Sequence, residues 1–66
     1  MEIYPGISMD SGIRFGKPCL TGTRIDVAAV VGALAAGESI EAVRDAYDVT
    51  REQIQSAVTY AREEGL

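Results

Sequence analysis

Between Asp26 and Gly37 the chain runs through ten residues, Val27-Ala28-Ala29-Val30-Val31-Gly32-Ala33-Leu34-Ala35-Ala36, that carry no charge and no polar side chain. Nothing else in the sequence restricts the fold as much. Asp26 is a good N-cap, and Gly37 stands where a C-cap glycine ends a helix. Val27, Val30, Val31 and Leu34 recur at i, i+3, i+4 and i+7 and make one apolar stripe. The opposite face holds Ala28, Gly32 and Ala36, one every fourth residue, which lets another backbone approach closely. A helix that is apolar all round is normally covered all round. Two coverings fit: this is the central helix of a three-helix domain, or its small-residue face meets a second chain.

Two more helices follow. Ser39 can cap one over residues 40–47, with Ile40, Val43 and Tyr47 on one side and Glu41 and Asp45 outward. Asp48-Val49 makes the turn. Thr50 with Gln53 has the form of a capping box and opens a third helix through Glu64. Ile54, Ala57, Val58 and Ala61 form its buried stripe. Glu52, Ser56, Thr59 and Glu63 form the outward line, with Arg51, Gln55 and Arg62 beside it.

The N-terminal third reads differently. Pro5-Gly6 and Asp10-Ser11-Gly12 are turn signals that leave Ile7-Ser8-Met9 as a short strand. Ile13-Arg14-Phe15 alternates as a half-buried strand does. These pieces are too short to stand alone as a sheet. They suggest a hairpin-like arm, with Ile13 and Phe15 pairing against a second chain to satisfy its edge. The connector Gly16-Lys17-Pro18-Cys19-Leu20-Thr21-Gly22-Thr23-Arg24-Ile25 then fixes a backbone path through Gly16, Pro18 and Gly22. Arg24 reads as its anchor, paired with a carboxylate such as Asp26 or Glu41. Arg14 and Lys17 read as solvated.

The residues present narrow the function. With 66 residues, one cysteine and no histidine, the chain is one small domain, residues 1–66, divided into an arm and connector (1–25) and a helical unit (26–66). It has no disulfide and no zinc site, so self-association or a permanent partner is the expected source of added stability. Cys19 lacks an imidazole partner and reads as a small buried hydrophobe in a reducing cytoplasm. No enzyme, metal or cofactor is expected. The N-terminus has neither the basic region nor the apolar run of a signal peptide or membrane span.

The second and third helices have helix-turn-helix grammar, in which the third would enter a major groove. Arg51, Gln55, Ser56 and Thr59 are the side chains that could reach phosphates or base edges. Charge opposes this. From residue 38 onward seven acids (Glu38, Glu41, Asp45, Asp48, Glu52, Glu63, Glu64) face three bases (Arg44, Arg51, Arg62), and the whole chain carries −4.

Gly16-Lys17-Pro18 and Gly22-Thr23-Arg24, followed by Leu34-Ala35-Ala36-Gly37-Glu38-Ser39 and Tyr47-Asp48-Val49-Thr50, resemble the family called domain of unknown function 433. The resemblance spans nearly the whole chain. It implies a mainly α, homeodomain-like three-helix fold behind a short extended N-terminal arm. It further implies an antitoxin of the VapB type in a type II toxin-antitoxin system. Such a protein would be a homodimer that neutralises a PIN-like ribonuclease toxin and binds its own operator DNA. The chain stops at Leu66 without a long tail, so neutralisation is expected to fall to the helical surface or the arm.

Overall fold

The computed structural model describes residues 1–64. The chain end, where the sequence reading places no long tail, lies outside the described residues. Three helices, α1 (Val27–Ala35), α2 (Ile40–Tyr47) and α3 (Arg51–Glu64), follow a small antiparallel sheet of β1 (Glu2–Tyr4), β2 (Ile7–Ser8) and β3 (Cys19–Leu20), paired in that order.

Each helix begins on a feature of its own sequence, and α1 and α2 also end on one. The Asp26 carboxylate accepts from the Ala29 N–H at 2.8 Å. At the other end of α1, Gly37 takes φ 98°. Its N–H donates to the Leu34 carbonyl and that of Glu38 to the Ala33 carbonyl, a Schellman closure. Ser39 caps α2 by accepting from the Ala42 N–H at 3.0 Å. Asp48, left-handed at φ 55°, ends it. Thr50 and Gln53 exchange both capping-box hydrogen bonds, at 2.8 and 3.1 Å.

The core is built from Ile7, Leu20, Val27, Val30, Val43, Val49, Ile54, Ala57, Tyr60 and Ala61. Two of its six largest fully buried side chains, Ile7 and Leu20, come from the first 25 residues. The expected short extended N-terminal arm is thus a small antiparallel sheet, and it forms a layer of the domain that packs on α3. Ile7 pairs with Leu20, and Ser8 with Cys19. Tyr4 packs edge-on against Tyr60, with ring centroids 5.6 Å apart. Short strands without a hydrophobic face of their own gain it by lying on a helix.

The β1–β2 turn sits over the middle of α3. Gly6 has φ +84°, and a β-carbon there would lie 2.9 Å from Ser56 Oγ. Both constraints demand glycine, so the turn can approach the helix only with this residue.

Ile13-Arg14-Phe15 is not a strand. Arg14–Gly16 forms a tight turn in which Arg14, Phe15 and Gly16 take φ of 52°, 58° and 79°. The apolar–polar alternation misled because three consecutive left-handed residues cannot extend a ladder. Among the described residues, no helix is long and apolar enough to cross a membrane.

Candidate functional site

The connector is held by short hydrogen bonds. Gly22, at φ +79°, lets the chain reverse between Leu20 and Thr23, whose N–H returns to the Leu20 carbonyl at 3.0 Å. The Thr23 hydroxyl donates to the same carbonyl at 2.8 Å and accepts from the Ile25 N–H at 3.0 Å. The Pro18 carbonyl accepts from the Val27 N–H at 2.9 Å, which fastens the connector to the first turn of α1.

Arg24 is not the anchor. Its side chain is exposed, and among the described residues it has no ion-pair partner. Both carboxylates expected to hold it are engaged elsewhere, Asp26 by Arg14 and Glu41 by Arg51. Arg14, expected to be solvated, is the residue that reaches Asp26, with Nη2 at 3.1 Å and Nε at 3.3 Å. Arg14 can do this because the left-handed turn reverses the chain beside α1. Sequence spacing gave no sign of that turn.

Asp26 therefore does two jobs, capping α1 and bracing the turn. Burial alone would raise its carboxyl, but the Ala29 N–H and the Arg14 guanidinium outweigh that and hold it below its ordinary 3.8. Cys19 lies beneath, buried, with its thiol pushed up by burial and then by the Asp26 carboxylate. A thiol in that setting is a poor nucleophile. Among the described residues no group of three or more His, Cys, Asp or Glu could hold a metal ion.

The turn that Asp26 braces carries Phe15 into solvent, 94% exposed. Ile13, its expected partner in an edge strand, is half-buried and bridges to Asp10.

The side chains singled out on α3 divide into different environments. Ser56 is half-buried under the Gly6 turn. Gln55 and Thr59 hydrogen-bond to each other at 3.0 Å. Arg51 donates to Glu41 on α2 at 2.6 Å, which neutralises it at the mouth of the helix pair. Beside Arg51 and Gln55 an open groove of about 420 Å³ runs between the ends of α1 and α2 and the flank of α3. Leu34, Ile40, Ile54 and Val58 line it together with Arg51, Glu52 and Gln55.

On α1 the side chains of Val27 and Val30 are buried, whereas Ala28, Gly32 and Ala36 are exposed. The small-residue face is thus not internal to the monomer. A β-carbon on Gly32 would meet nothing within 4 Å.

Comparison with known proteins matches residues 7–61 to the model of a family described as "Protein of unknown function (DUF433)". The crystal structure of Rv2018 from Mycobacterium tuberculosis is similar, with a TM-score of 0.71 and 36% identity, over 79% of this chain and 24% of that one. The likeness therefore concerns one part of a longer protein. No curated protein matches the chain.

Proposed function

The chain belongs to the DUF433 family, and from that premise we propose that it is a cytoplasmic antitoxin of the VapB type. In this reading it is a homodimer that binds and neutralises a PIN-like ribonuclease toxin. It acts by occupying a surface and does no chemistry of its own.

The observation that carries the reading is the charge left uncompensated on the helical half. Two of its three bases are spent on neighbours, Arg44 on Asp45 and Arg51 on Glu41. Glu38, Asp48 and Glu52 remain exposed on the same half. A nuclease that binds RNA needs a basic cleft, and an acidic surface of this kind opposes one.

The test is to identify the product of the adjacent reading frame, produce the chain with it if it is a PIN-like nuclease, and follow RNA cleavage; an adjacent product of another class would count against the reading. Stoichiometric inhibition that weakens with salt and with Glu52→Lys is the expected result. Full nuclease activity in the presence of excess chain would refute the reading.

Operator binding by a homeodomain-like helix-turn-helix is the second reading. The three-residue turn between α2 and α3, with its left-handed Asp48 and capping box, supports it. The pairing of Arg51 with Glu41 and the cover over Ser56 weigh against it. Gel mobility shift with the upstream DNA at low salt decides. Arg51→Ala and Gln55→Ala should weaken any complex formed.

A further inference from the structure

We propose that the turn at Arg14–Gly16 is a strap with two positions, held open by the Arg14–Asp26 pair beside an apolar seat for Phe15 in the same chain. The exposure of Phe15 is then conditional on Arg14. The inference depends neither on the nuclease nor on the homodimer.

The open position is a strained one. Arg14, Phe15 and Gly16 take φ of 52°, 58° and 79°, a backbone that glycine adopts freely and the other two do not. Phe15, the one phenylalanine of the chain, is 94% exposed on that turn. Such a conformation persists only where the surroundings over-determine it. Here the Gly16 and Lys17 N–H groups close on the Ile13 and Arg14 carbonyls, each at 3.1 Å, and the Arg14 guanidinium is tied to the Asp26 carboxylate. Of these ties only the ion pair reaches beyond the turn itself.

The seat lies at the root of the same turn. Lys17, Pro18, Asp26, Val27, Ala28 and Tyr60 line an open recess of about 190 Å³. A cavity of roughly 150 Å³ accepts benzene, so a phenyl ring fits this one. Val27 and Tyr60 belong to the core, and a ring laid against them extends it. Two residues of chain carry Phe15 to Lys17 on the recess wall, a span of at most about 7 Å. The ring therefore reaches the seat by rearrangement of the turn alone. This short tether selects Phe15 as the occupant, because it holds the ring beside the recess at a concentration that a separate molecule does not match.

The pair decides between the two positions. Its Arg14 side chain is 49% exposed, and a half-exposed pair is a weak tie. Set against it are two left-handed residues that carry side chains and a phenyl ring left in water. Closing the strap does not orphan Asp26. One carboxylate oxygen keeps the Ala29 N–H, and Lys17, whose charge already acts on that carboxyl, stands on the recess wall with it. Any change that takes Arg14 from Asp26 therefore withdraws Phe15 from the surface.

Fluorine NMR on the chain grown with 4-fluorophenylalanine tests this, because Phe15 gives the only signal. The displacement of that signal between light and heavy water measures the exposure of the ring. The unmutated chain should show the full displacement of a solvated ring. Arg14→Met should cut it to less than half and bring the ring into nuclear Overhauser contact with Val27 and Tyr60, with circular dichroism confirming the fold. Asp26→Asn keeps an oxygen to cap α1, breaks the pair from the other side and should do the same; it carries the test if Arg14→Met fails to fold. Ala28→Glu, added to either variant, puts an acid in the first turn of α1, where it suits the helix, and a charged chain at the recess. It should restore the full displacement. A ring that stays fully solvated once the pair is broken overturns the strap, and so does an unmutated ring already in contact with Tyr60. A ring that remains protected after Ala28→Glu overturns the seat.

Discussion

Replacing Phe15 with glycine should make the isolated domain more stable. Phe15 is 94% exposed, so its ring contributes almost nothing to the core of a single chain. Its backbone stands at φ 58°, ψ 34°. That conformation costs a non-glycine residue roughly 1–2 kcal/mol, and glycine adopts it freely. Against this gain, glycine loosens the unfolded chain by about 0.4–1 kcal/mol. The balance is a stabilisation of about 0.5–1 kcal/mol, or roughly 2–8 °C in a domain this small. Thermal unfolding followed by circular dichroism measures it. The experiment belongs well below the dimer dissociation constant, because association adds apparent stability by mass action. Phe15→Ala is the control: it keeps the strained backbone and should change the midpoint little. If Phe15→Gly lowers the midpoint by more than about 5 °C, the ring packs on its own chain and the argument from strain fails.

Three further outcomes follow from the packing. Gly6→Ala should destabilise by more than about 1 kcal/mol, seen as a lower denaturant midpoint, because φ is +84° and the new methyl would meet Ser56 Oγ at 2.9 Å. Val30→Asp should abolish the helical circular dichroism signal, since an unpaired charge at a fully buried position costs several kcal/mol. For Asp26 the folded carboxyl lies below its ordinary 3.8, so its contribution is fully present above that value and is lost as pH falls through the lower folded one. Asp26→Asn keeps an oxygen to cap α1 but drops the charge. Its stability at pH 7 should be lower by about 1 kcal/mol or less, since Arg14 is half exposed, and its acid titration should lack that step.

The helical half was legible because its determinants are local. Asp26, Gly37, Ser39, Asp48 and the pair Thr50 and Gln53 each act within one turn of where they stand, and spacing alone reveals them. Val27 to Leu34 likewise declare a face by their period. The N-terminal half was not legible in this way. Ile7 and Leu20 are fully buried because they pair across 13 residues and lie on α3, and a two-residue strand shows no period. Tyr60 was passed over as core for the related reason that its neighbour Tyr4 lies 56 positions away. Gly6 did mark a turn, but that the turn would press on Ser56 could not be read from either residue.

The candidate site depends on the least local feature of all. Ile13-Arg14-Phe15 shows the alternation of a strand, and Arg24 has the look of a loop anchor beside Asp26. What decides between Arg14 and Arg24 is the competition for one carboxylate. Asp26 is committed through one oxygen to the α1 N-terminus, and its backbone bridges Cys19, which leaves the second oxygen for a guanidinium. Arg14 reaches that oxygen only if the backbone turns left-handed through Arg14–Gly16. A charge-assisted bond to a buried carboxylate can outweigh the strain of such a turn. The same reversal that delivers the guanidinium inward sends the next side chain outward. The exposure of Phe15 is therefore a consequence of the Asp26 pair, and a variant that breaks the pair without touching Phe15, such as Arg14→Met, should release the turn, seen as faster amide hydrogen exchange at Gly16 and Lys17, whose N–H groups close it.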